Sequence, residues 1–123
     1  MLISGAEDGK LVLWDMKDGW ATRAVNAHIQ KAQSRYSRRT GILDISIARD
    51  GRILTVGRVR NIRLWKPDGV PAKTIGNLEN LPLSASFSSD DESIVIGSFD
   101  GDVEVRDSSD GKLKQALSAP WER

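Results

Sequence analysis

One pattern occurs three times along this 123-residue chain: a small-residue strand end, a tight turn, and a strand closing on Trp or Arg. Its copies are GAEDGKLVLWD at 5–15, GILDISIARDGRILTVG leading to IRLW at 41–65, and ASFSSDDESIVIGSFDGDVEVRD at 85–107. Trp14 and Trp65 lie 51 residues apart and Trp65 and Arg106 lie 41 apart, while the glycines Gly5, Gly57 and Gly97 are spaced by 52 and 40. The longer first interval holds IQKAQSRYSRRT at 29–40, which has four basic residues, no acidic residue and little apolar period. The underlying period is therefore near 40 residues. A repeat of that size cannot bury both faces of its own sheet and must stack on its neighbours.

Short apolar runs bounded by Asp, Gly, Asn and Pro fill each repeat, which predicts strands joined by hairpins. The runs fall at 2–5, 11–15 and 20–27, then at 41–48, 52–57, 62–65 and 70–75, then at 83–88, 93–98, 103–107 and 112–118. That is three strands followed by two sets of four. Four strands per unit of roughly 40 to 45 residues is the mark of a β-propeller blade. The expected fold is all-β, with blades of four antiparallel strands, about three blades and eleven strands in an incomplete ring. The chain divides into an incomplete three-stranded blade at 1–28, a basic insertion loop at 29–40, a second blade at 41–76, a third at 77–118 and a tail at 119–123, all one propeller segment.

These three segments together resemble the WD-repeat family of β-propellers, in the style of bacterial members with degenerate copies. The resemblance implies a blade hydrogen-bond network built from a His, a Ser or Thr, a turn Asp and a Trp. Matched residue by residue, the first unit supplies Ser4, Asp8 and Trp14, and the second His28, Thr55 and Trp65. The third keeps Asp100, with Ile96 and Arg106 in the Ser and Trp places. No unit holds the whole set, so strand pairing and apolar packing carry most of the stability. Just under three blades implies either a piece of a longer propeller or a protomer that closes its ring with another copy, since closed rings have about four to eight blades.

Composition narrows the chemistry. With 18 Lys plus Arg against 17 Asp plus Glu, the formal charge of +1 exerts no global pull on nucleic acid or membrane. The absence of cysteine excludes disulfides and thiolate catalysis or metal sites. No apolar run is long enough for a membrane helix and the amino terminus has no leader pattern, so the chain reads as soluble and cytoplasmic. Ser4, His28 and Asp8 have the residue types of a hydrolase triad, but the resemblance puts His28 in a different blade, and a triad needs mutual hydrogen-bond geometry. With one histidine and no cysteine, a zinc site would need carboxylates almost alone. GAEDGK has three rather than four residues between its glycines, and Leu11 stands where a phosphate loop needs Ser or Thr. Trp14 and Trp65 are expected in the packing between blades. We expect no catalytic residue, no cofactor and no metal.

The insertion is the remaining functional signal. In the resembled architecture, the connection entering a blade and the turn between its second and third strands share one end. Lys31, Arg35, Tyr36, Arg38 and Arg39 are thereby expected beside Arg58 and Arg60, between acidic turns carrying Glu7 and Asp8 on one side and Asp100 and Asp102 on the other. Arg suits bidentate recognition of carboxylate or phosphate. The expected role is a non-enzymatic scaffold segment that docks a protein or acidic peptide there. The alternatives are an anion or nucleic-acid module using the same arginines, and a purely structural protomer that completes a propeller as a homo-oligomer.

Overall fold

Apolar runs of four to six residues, each stopped by Gly, Asp or Pro, give the chain no helical period to use. The computed structural model describes residues 2–26, 41–58, 60–76, 78 and 80–118, and every regular element among them is a strand. In chain order these are β1 (Leu2–Gly5), β2 (Lys10–Asp15), β3 (Ala21–Asn26), β4 (Ile42–Ile47), β5 (Ile53–Gly57), β6 (Asn61–Trp65), β7 (Pro71–Ile75), β8 (Pro82–Phe87), β9 (Ser93–Ser98), β10 (Val103–Asp107) and β11 (Leu113–Leu117). They form three antiparallel meanders: β1-β2-β3, β4-β5-β6-β7 and β8-β9-β10-β11. Equivalent pairs recur in register, with Leu2 opposite Trp14, Ile53 opposite Trp65 and Ile94 opposite Arg106.

Most strands start or end one residue away from the sequence reading, and one of these shifts has a clear local cause. The third strand starts at Ala21, and Trp20 lies in the preceding turn at φ 64, exposed. The turn wins locally because the Ala21 N–H donates to the Asp18 carbonyl at 3.0 Å and the Lys17 N–H to the Asp15 carboxylate at 3.0 Å.

Side chains alternate across a strand, so each sheet offers one face to each neighbour. In the middle sheet both faces are covered, and all five residues of β5 are buried. Ile53 and Trp65 face the first sheet, packing on Leu11 and Leu13 with Ile3, Val25, Ile42 and Ile45 around them. Leu54, Val56, Ile62 and Leu64 face the third sheet and meet Ala85, Ile94 and Ile96. Each such fully buried aliphatic side chain contributes about 2 kcal/mol relative to an exposed one. The outer faces of the first and third sheets are only partly covered among the described residues, and Leu2, Val95 and Leu117 are exposed on them.

Polar links accompany the apolar contacts between sheets. Arg23 Nη1 donates to the Asp68 carbonyl at 2.8 Å, tying the first sheet to the second. Arg52 ties the second to the third: Nη2 donates to the Asp91 carbonyl at 2.9 Å and Nη1 to the Ser108 carbonyl at 3.1 Å. The guanidinium also lies 5.3 Å from the Phe87 ring centroid, within cation–π range. Close approach is severe at Gly111, where an added Cβ would sit 2.8 Å from Ile75 Cγ1.

Candidate functional site

The turns β1–β2, β5–β6 and β9–β10 occupy equivalent places in the three sheets. Their tips read Glu7-Asp8-Gly9, Arg58-Val59-Arg60 and Phe99-Asp100-Gly101. In the first and third, a glycine takes the left-handed conformation, at φ 85 for Gly9 and φ 89 for Gly101. The Asp before it caps its own turn, Asp8 accepting the Lys10 N–H at 3.0 Å and Asp100 accepting the Asp102 N–H at 3.1 Å. In the middle turn Arg60 holds φ 59 where its neighbours have glycine. A left-handed conformation costs a residue with a Cβ on the order of 1 kcal/mol, and such costs collect at functional positions.

Charge alternates across these tips. Arg58 Nη2 lies 3.1 Å from Glu7 Oε1, with the Glu7 side chain largely exposed and that of Arg58 partly so. Such a pair adds little stability, and its cation is accessible. Arg60 lines a cleft of about 310 Å³ with Asn80, Leu81, Phe99 and Asp100. Phe99 is 75% exposed, with its backbone N–H fixed to the Leu81 carbonyl at 2.8 Å. An aromatic ring held in water beside an arginine is the feature that sequence reading missed. Its signal was an apolar residue at the tip where the sister turns carry Glu7 and Arg58. Lys31, Arg35, Tyr36, Arg38, Arg39 and His28 lie outside the described residues.

The blade-network residues are paired in two of the three sheets. Trp14 Nε1 donates to Ser4 Oγ at 3.1 Å, and Trp65 Nε1 donates to Thr55 Oγ1 at 2.9 Å. In the third sheet Arg106 stands in the Trp place and turns to Glu104 at 2.7 Å and to the Gly111 carbonyl at 2.9 Å. Ser4 thus accepts an indole proton within a sheet, and Asp8 is engaged in its own turn, so neither presents nucleophile geometry.

At the opposite end, Asp50, Asp90, Asp91 and Asp107 line a wide cleft of about 600 Å³ around Arg52. Its carboxylates are committed locally. The Ser109 hydroxyl and backbone N–H hold the Asp107 carboxyl down at about 2, helped by the Asp110 N–H and Lys114. The Ser88 hydroxyl lowers Asp90, and the Arg52 backbone N–H followed by its guanidinium lowers Asp50. Among the described residues no group of three His, Asp or Glu side chains is placed to hold a metal ion, and no helix is long and apolar enough to cross a membrane.

Antiparallel meanders of three and four strands, stacked face to face with turns repeating in register, define a β-propeller fold. By sequence, no family profile and no curated protein matches the chain. Among solved structures, Sqt1 of Saccharomyces cerevisiae, a WD-repeat protein, superposes with a TM-score of 0.79 at 15% identity, over 94% of this chain and 30% of that one. BamB of Moraxella catarrhalis, a β-propeller, gives a TM-score of 0.72 at 12% identity, over 95% of this chain and 32% of that one. The chain thus spans about a third of the length of each. At these identities the likeness is one of fold.

Proposed function

We propose that this chain is a non-enzymatic scaffold for protein–protein interaction, and that it docks an acidic peptide segment at the end bearing Glu7, Arg58, Arg60 and Phe99. The observation that carries the reading is the middle turn: Arg60 sits in a glycine conformation and lines a cleft with an exposed Phe99. Binding surfaces characteristically join an aromatic anchor to arginines. To this reading the sequence contributes Lys31, Arg35, Tyr36, Arg38 and Arg39, which the WD-repeat resemblance leads us to expect at the same end. The pairing of Arg58 with Glu7 supports peptide docking, because a partner carboxylate can replace Glu7 on the guanidinium.

The test is a titration of a fluorescent glutamate-rich peptide carrying one aromatic residue. Replacing Arg35, Arg38 and Arg39 by Ala should weaken binding about tenfold or more, as loss of charge-assisted contacts does, and leave the melting temperature nearly unchanged. Unchanged affinity in that variant would falsify the reading. A single-stranded oligonucleotide titrated in parallel tests the nucleic-acid alternative, which requires affinity falling steeply with salt.

A further inference from the structure

The two arginines of the middle turn serve different sides of it. Arg58 reaches the turn of the first sheet, where its Nη2 lies 3.1 Å from Glu7 Oε1. Arg60, two residues on, lines the cleft that it shares with Leu81, Phe99 and Asp100. Among the described residues Arg60 makes no ion pair, and Asp100 in that cleft turns its Oδ1 to the Asp102 N–H. One guanidinium is therefore occupied by a carboxylate of the chain itself, and the other is not.

The backbone builds the Glu7 contact. Both partners are tied to the short segment Gly41-Ile42: the Ile42 N–H donates to the Ala6 carbonyl at 3.0 Å, and the Arg58 N–H donates to the Gly41 carbonyl at 3.2 Å. Gly41 has φ 134, and a Cβ there would come within 2.9 Å of the Glu7 carbonyl oxygen and 3.4 Å of Arg58 Cδ. Only a residue without a side chain lets the two turns close this far. The pair is thus held in place by its surroundings. Yet the Glu7 side chain is 82% exposed, and a pair in water is weak enough for an incoming carboxylate to displace.

We propose that Glu7 is a specificity-determining residue: it occupies Arg58 as an internal competitor and reserves that guanidinium for partner segments with more than one carboxylate. The first carboxylate, next to an aromatic residue packed by Phe99, takes the unoccupied Arg60. A second on the same segment then meets Arg58 at high effective concentration and displaces Glu7. A site open only part of the time lowers apparent affinity by that fraction, and Glu7 imposes this loss at Arg58 but not at Arg60. The ligand is accordingly a run of acidic residues beside an aromatic one, rather than an isolated acidic residue. This deepens the docking reading above and rests on it.

The probes are two labelled peptides: the glutamate-rich peptide with one aromatic residue, and the same peptide with every glutamate except the one beside the aromatic residue replaced by glutamine. Glu7→Gln keeps the size of the side chain and removes its charge, and at so exposed a position it should leave the melting temperature in place. We expect the glutamate-rich peptide to bind this variant about two- to fivefold more tightly than the native chain, the range that an exposed ion pair commands. The single-glutamate peptide should bind both proteins alike. In an Arg58→Gln background the Glu7→Gln change should have no effect, as coupling between the two residues requires. Equal affinity of native chain and variant for the glutamate-rich peptide overturns the proposal and leaves the docking reading standing. So does an equal gain for both peptides, or a gain that persists without Arg58, since each marks only the loss of a nearby negative charge. If neither peptide binds either protein, the proposal and the docking reading fall together.

Discussion

Trp65 donates its indole N–H to the Thr55 hydroxyl at 2.9 Å, and both side chains are shut between the first and second sheets, 1% and 0% exposed. The equivalent pair, Trp14 and Ser4, makes the same bond at 3.1 Å on the less covered face of the first sheet. The repeat therefore contains its own control for what burial adds to one hydrogen bond.

Thr55→Val keeps the volume and removes the acceptor, leaving a buried indole N–H unpaired. A loss of about 1–3 kcal/mol is expected from the desolvation of that donor. Ser4→Ala should cost under about 1 kcal/mol, because water can replace the hydroxyl. Urea unfolding followed by tryptophan fluorescence measures both. Equal losses would contradict the assignment of the two faces.

Arg52 is the polar pin between the second and third sheets, donating to the Asp91 and Ser108 carbonyls. Arg52→Met retains an apolar stem over Phe87 and removes every donor, so a loss of about 2 kcal/mol is expected. Lys114→Met, on a more exposed side chain paired with Asp107 at 3.7 Å, should change stability by less than about 0.5 kcal/mol. Thermal melts of the two variants test the contrast.

Acid should weaken the fold at the Asp107 turn. Its carboxyl is held at about 2, below the ordinary 3.8, mainly by the Ser109 hydroxyl. A depressed folded value means that the stabilisation is fully present above the unfolded value and is lost as pH falls from about 4 through about 2. Asp107→Asn should flatten the acid limb of a melting-temperature profile over that window and leave its shape at neutral pH unaltered.

Arg60 occupies a conformation that glycine holds in the sister turns. Arg60→Gly should stabilise the chain by up to about 1 kcal/mol, because the left-handed strain is relieved. The same change should weaken acidic-peptide binding. A variant at once more stable and a poorer binder is the signature of strain kept for function.

Much of the architecture was legible before any coordinates, because a period-two pattern punctuated by Asp-Gly turns permits few alternatives. Residues such as Leu54 and Trp65 announce strands by their spacing, and 40-residue recurrence assigns those strands to blades. Trp20 was misplaced since an apolar residue after Asp18-Gly19 looks like a strand start, whereas hydrogen bonds at Asp15 and Asp18 extend the turn. The links between sheets were not legible. Arg52 and Asp44 act across 39 to 56 and 41 residues of sequence, and in their local context they look like charged residues facing water. Phe99 was hidden for a similar reason, as only alignment of the three turn tips reveals that an aromatic replaces a charge.

The most direct test is to locate a bound acidic peptide by backbone amide shifts on the isotope-labelled chain. The scaffold account predicts that changes concentrate at residues 7–9, 58–60 and 99–101, with Phe99 and Arg60 foremost, and fade in the Arg60→Gly variant. Changes concentrated instead around Asp50, Asp91 and Asp107, or spread evenly over the sheets, would contradict it.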